Sequence, residues 1–116
     1  MGDLSEHFSR YEFACKCGCN YDKVDAELLQ ELEDVRTHFN KPVTINSASR
    51  CSKHNEAIGG KPNSQHLRAR AADIVVKGVD TAVVYHYLCI KYAGKFGIGK
   101  YSGFVHIDTR RKRARW

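Results

Sequence analysis

Residues 63–76 read NSQHLRARAADIVV: a polar stretch carrying His66, then an apolar run that contains Asp73. The segment AADIVV, with β-branched Ile74, Val75 and Val76, has the make-up of a strand. Further along, residues 104–110 read FVHIDTR. Strand alternation sends Val105 and Ile107 to one face and Phe104, His106 and Asp108 to the other. An acid and two imidazoles beside hydrophobic segments each cost stability if they are left unpaired. A shared metal ion is the economical account. Two neutral imidazoles and one carboxylate, His66, Asp73 and His106, suit Zn²⁺ and leave a fourth position for water, as in a hydrolytic centre. Bound zinc lowers the pKa of such a water from about 16 to near 7. The spacing alone is unselective. A hydrogen-bonded histidine beside a strand and an aspartate capping a turn remain the alternative.

Working outward, residues 24–39, VDAELLQELEDVRTHF, read as a helix capped by Asp25, with Leu28, Leu29, Leu32, Val35 and Phe39 on one stripe and Asn40 and Pro42 ending it. PVTINSAS is a strand running into a polar turn. SKHNEAIGG forms a short helix with Ser52 as its cap and Gly59 as its stop, followed by the loop GKPNSQH. VDTAVVYHYLCIKYAG is a second long helix, capped by Asp80, with Val84, Leu88 and Tyr92 along one face. KFGIGKY and GFVHIDT make a hairpin around Ser102 and Gly103. The order predicts an α+β fold, a small antiparallel sheet with helices packed on one face and the zinc site in a cleft over the sheet.

The whole chain sets bounds on this. Its 116 residues suffice for one domain, 1–116, with a single modest core. With 42% apolar and 28% charged residues it has a soluble composition. No segment approaches the roughly 20 apolar residues of a membrane span. The opening MGDLSEHFSRYEF has no apolar run of the secretory kind, so synthesis in the cytoplasm without a signal segment is expected. Formal charge is +6, concentrated in a tail over 110–116 that carries Arg110, Arg111, Lys112, Arg113 and Arg115 before Trp116. Such a tail is either a solvated, partly frayed terminus or an attractor of polyanions. Cys15, Cys17 and Cys19 alternate in ACKCGCN, so an extended backbone turns all three thiols to one side. They form either a structural zinc or redox corner with Cys51 as fourth member, or reduced thiols packed as small apolar groups. The missing two-residue spacing favours the second reading. Cys89 reads as core, and His7, His38 and His86 as solvated or packing.

The residues around His66 and Asp73 add a resemblance. Ser64-Gln65-His66 through Ala71-Ala72-Asp73 is similar to the S-x-H-x-x-G-x-A-x-D signature of the zinc D-Ala-D-Ala carboxypeptidase family of peptidoglycan-cleaving metallopeptidases. GFVHIDTR resembles the later strand that supplies that family's third ligand. INSASRCSKHNEAIGGKPNSQH resembles its SGYRSPxHN segment, with Arg50, Ser52, His54 and Asn55 at matching places. LSEHFSRYEFACKCGC resembles the opening of small members, many of them phage-encoded or prophage-like. The resemblance implies that His66, Asp73 and His106 hold zinc. It implies that Arg50 binds the substrate carboxylate or the oxyanion, that Ser64 orients the His66 loop, and that His54 and Asn55 brace the site. Ala69 stands where the family has glycine. Relatives often carry an acid or histidine two or three residues before the last ligand, where this chain has Phe104 and Gly103. Asp108 is the nearest ionisable group, either touching the zinc-bound water as base or supporting the site by hydrogen bonding.

The expected activity is therefore hydrolysis of stem peptides or cross-links of peptidoglycan, as carboxypeptidase or endopeptidase, by a monomer that acts on the cell wall, either phage-encoded and released by another factor or virion-borne. The tail is expected to attract anionic wall polymer. The rivals are a non-catalytic zinc module that recognises peptides and, further off, a basic nucleic-acid binder. Aromatic residues do not interleave with the basic run, so no nucleic-acid partner is expected, and neither is membrane insertion.

Overall fold

The computed structural model describes residues 4–17, 23–60, 64–68 and 70–116. The expectations placed on Cys19, on Ala69 and on loop residues 61–63 fall outside these. Five strands form one sheet: β1 (Val43–Ser47), β2 (Ala71–Val76), β3 (Gly97–Lys100), β4 (Val105–Asp108) and β5 (Ala114–Arg115). Three α-helices accompany it: α1 (Ala26–Phe39), α2 (Ser52–Ala57) and α3 (Thr81–Lys91). Short 3-10 turns cover Arg10–Phe13 and Gln65–Arg68. The spatial order is β1-β2-β4-β3-β5.

The fold is α+β, as the element order implies. The sheet departs from a purely antiparallel one at its edge. β1, β2, β4 and β3 pair antiparallel, but β5 lies parallel to β3. After β4 the chain reverses and returns along the outer side of β3, so the basic tail becomes an edge strand. Arg115 turns inward and donates to the carbonyls of Tyr92, Lys95, Phe96 and Ala114. Ala114 and Arg115 are thus paired, while Arg111, Lys112 and Arg113 stay exposed.

One face of the sheet is dry. Alternation sends Ala72, Ile74 and Val76 of β2, Ile98 of β3, and Val105 and Ile107 of β4 into a core with Leu28, Leu32 and Val35 of α1 and Val84 and Leu88 of α3. Each such side chain contributes about 1.5–3 kcal/mol when fully buried. Both long helices begin at their capping aspartates, and α1 ends at its capping asparagine. Asp25 accepts from the Leu28 amide, Asp80 accepts from the Ala82 amide, and Asn40 closes α1 in the left-handed conformation at φ 51°. The short helix differs from expectation. Its cap is Cys51, whose sulfur accepts from the His54 amide, and Ser52 is its first residue. No helix among the described residues is long and apolar enough to cross a membrane.

Candidate metal centre

The opposite face of the sheet carries the polar residues. Asp73 on β2 and His106 on β4 are register partners, and His66 reaches them from the turn before β2. All three are buried. Asp73 Oδ1 lies 3.0 Å from His106 Nδ1 and 3.4 Å from His66 Nε2. One donor atom from each residue falls within 4.8 Å of the other two. Around a tetrahedral ion with ligand bonds near 2.0–2.1 Å, neighbouring ligand atoms stand about 3.3 Å apart. The two short separations match that spacing.

The hydrogen bonds on the far sides of the rings test the fit. His66 Nδ1 lies 2.6 Å from the carbonyl oxygen of Ala48, which can only accept, so Nδ1 carries the proton. His106 lies between two carboxylates, Nε2 2.7 Å from Asp108 Oδ2 and Nδ1 3.0 Å from Asp73 Oδ1, so a proton kept at the shorter contact leaves the Nδ1 lone pair for a metal. In that tautomer each ring turns a nitrogen lone pair toward the Asp73 carboxylate, leaving a place for a cation between them. The two nitrogens and one oxygen are a donor set that zinc accepts.

Electrostatics follow the same pattern. Burial disfavours the Asp73 carboxylate, but the rings of His106 and His66 more than reverse this and hold its pKa well below the usual range. Burial likewise works against charge on His106, yet the carboxylates of Asp108 and Asp73 raise its pKa. Burial would raise Asp108 too, and His106 and Arg110 bring it down to about 2.

Asp108 is fully occupied. Its Oδ1 accepts from the amides of Gly97 and Arg110 and from Arg110 Nε, and its Oδ2 accepts from Arg110 Nη2 and His106 Nε2. It stands behind His106, at the ring nitrogen turned away from Asp73. Two glycines of β3 make room on this face. A Cβ on Gly97 would strike the Asp108 carboxylate, and one on Gly99 would strike the Trp116 indole. Trp116 is held there by its indole N–H, which donates to the Tyr101 hydroxyl at 2.7 Å, and its ring lies 5.1 Å from that of His106.

The turn after β1 supplies the remaining groups. The β1–β2 register shifts between Ile45 and Ser47, opposite Asp73, and the irregularity releases the chain into residues 48–51. Arg50 Nη2 comes within 3.5 Å of Asp73 Oδ2, while Nη1 donates to Asn55 Oδ1 at 3.1 Å and Nε to Ser47 Oγ at 3.3 Å. Asn55 thus braces Arg50, and Ser64 Oγ accepts from the His66 amide. His54 goes elsewhere. It offers its ring to Cys15 and Cys17 and does not join His66, Asp73 and His106.

A cleft of about 680 Å³ opens over the three residues, with Arg50 and Gln65 on one side and Tyr101, Phe104 and Trp116 on the other. Sequence reasoning missed the aromatic wall. Its signal was the glycine alternation in Gly97-Ile98-Gly99, which leaves a strand face bare for large side chains to cover. Compared with known proteins, residues 6–108 match the family model described as Peptidase M15. No curated protein matches the chain.

Proposed function

The chain belongs to the Peptidase M15 family, a family of metallopeptidases, and on that premise we propose that it is a zinc-dependent hydrolase of amide bonds in peptidoglycan stem peptides or cross-links. One observation carries the reading: two imidazole nitrogens and a carboxylate oxygen converge at the floor of a cleft, each ring held by a hydrogen bond on its other nitrogen. His66, Asp73 and His106 are assigned as the metal ligands. Held by these residues, a divalent ion would supply Lewis-acid activation for a water and for the scissile carbonyl.

The chain's own residues do the rest. Arg50, stiffened by Asn55 and Ser47, presents two forked donors to a substrate carboxylate or to the oxyanion that develops on the carbonyl. Asp108 is assigned the supporting role: it keeps the His106 proton on Nε2 and so the lone pair on Nδ1. With five hydrogen bonds on its two oxygens it has no lone pair to offer a water in the cleft. Phe104, Tyr101 and Trp116 give the peptide an apolar wall. Lys112 and Arg113, both exposed, are the tail residues assigned to anionic wall polymer.

A second reading is favoured by one feature. Among the described residues that line the cleft, Asp73 is the single carboxylate, so none beyond the assigned ligand is there to act as general base. This is what a non-catalytic peptide-recognition module would have. Digestion separates the two. Purified protein incubated with sacculi and with soluble muropeptides, with and without chelator, is followed by mass spectrometry. Cleavage that stops with chelator and in Asp73→Ala is expected, with added salt slowing attack on sacculi more than on soluble fragments. Binding of muropeptides without any cleaved product would establish the recognition module instead.

A further inference from the structure

Away from the cleft, three sulfurs meet from two segments more than thirty residues apart. Cys15 Sγ lies 3.4 Å from Cys17 Sγ and 3.8 Å from Cys51 Sγ, and Cys17 Sγ lies 3.6 Å from Cys51 Sγ. These separations are far too long for a disulfide, whose sulfurs bond at about 2.05 Å. They fit a different arrangement. Thiolates bound to tetrahedral zinc at about 2.3 Å stand roughly 3.8 Å apart. His54 adds a ring nitrogen within 4.8 Å of the sulfurs of Cys15 and Cys17.

Apolar packing does not account for this cluster. Cys15 is buried, but Cys17 is exposed and Cys51 half-buried, so two of the three thiols contribute little to the core. Backbone amides instead point at the sulfurs. The Cys51 N–H reaches Cys15 Sγ at 3.5 Å, and the His54 N–H reaches Cys51 Sγ at 3.4 Å. Such donors stabilise charge on sulfur. We propose that Cys15, Cys17, Cys51 and His54 form a second, structural zinc site, closed and four-coordinate.

Its place in the fold gives it a task. It ties residues 13–17 to the turn of residues 48–51, reinforcing the bond from the Ser49 amide to the Phe13 carbonyl. That turn carries the Ala48 carbonyl that fixes His66 and the Arg50 guanidinium that enters the cleft. The second metal would therefore hold the wall of the candidate centre without touching substrate. It stands or falls independently of the peptidase reading, because its ligands are different residues.

Metal content tests it. Full-length protein purified under reducing conditions should carry two zinc equivalents per chain. The His66→Ala/His106→Ala variant should keep one, and Cys17→Ser, a substitution at an exposed position, should lose one while keeping the other. Cobalt loaded into the histidine variant should show thiolate-to-metal charge-transfer absorption in the near ultraviolet. Chelator should then lower that variant's thermal midpoint. A histidine variant without zinc, or cobalt spectra of the intact protein free of sulfur absorption, would overturn the proposal.

Discussion

His106 lies between two carboxylates, and a metal held at Nδ1 would leave it one proton for Asp108. Asp108 takes the proton at Nε2, which leaves Nδ1 turned to Asp73. Asp108→Asn should therefore act through metal affinity. An amide nitrogen turned to Nε2 favours the wrong tautomer, and zinc binding should weaken about 10- to 100-fold, as measured by competition with a chromophoric chelator. Unchanged affinity with lost turnover would instead make Asp108 the base. A second residue-scale expectation concerns Glu31 on α1, which is buried with Oε2 lacking a hydrogen-bond partner among the described residues. Burial, with Asp34 nearby, raises its pKa from 4.5 to about 7. The folded protein then binds a proton that the unfolded chain has lost between these values, so this contribution to stability is full below about pH 4.5 and fades as pH rises through about 7. Glu31→Gln should gain up to roughly 3 kcal/mol over the parent at pH 8 and little at pH 4, read by urea denaturation at both. Equal gains at the two pH values would count against a neutral Glu31.

At the scale of elements, β3 is where reading and structure part. The two long helices, their aspartate caps and the alternation of β4 were legible because each rests on local chemistry: a carboxylate for orphan amides, an apolar stripe, a period of two. The pairing of β5 was not, since Ala114 and Arg115 carry no strand signal and are recruited by the open edge of β3. The cap at Cys51 was missed for a similar reason, as a thiol is a weak acceptor and Ser52 beside it a strong one. Of the candidate centre, His66, Asp73, His106 and Arg50 were legible from motif resemblance. The orientation of Asp108 and the wall of Trp116 and Tyr101 were set by β3, whose glycines had no stated purpose in the sequence. Gly99→Ala tests that purpose. Its Cβ meets the indole of Trp116, the chain's one tryptophan, so overpacking should cost about 1–3 kcal/mol in urea melts. Indole fluorescence should shift at the same time. A variant with unchanged stability and emission would show that the indole does not rest on β3.

Taken as a whole, the molecule divides its sheet between two tasks. The face against α1 and α3 supplies the hydrophobic stabilisation, and that rigidity lets the other face hold buried charge in fixed positions. Neighbouring strands in register set Asp73 beside His106, while the turn before β2 and the turn after β1 bring His66 and Arg50 to them. The basic tail, partly spent on Asp108 and on backbone carbonyls, closes the sheet edge and one side of the cleft. All of this converges on a single point in space. Anomalous diffraction from zinc-soaked crystals, recorded on both sides of the zinc absorption edge, examines that point directly. The account predicts a peak about 2.0–2.2 Å from His66 Nε2, His106 Nδ1 and an Asp73 carboxylate oxygen. Crystals whose anomalous map is blank between these three residues, with the rings and carboxylate bonded only to protein, would contradict it.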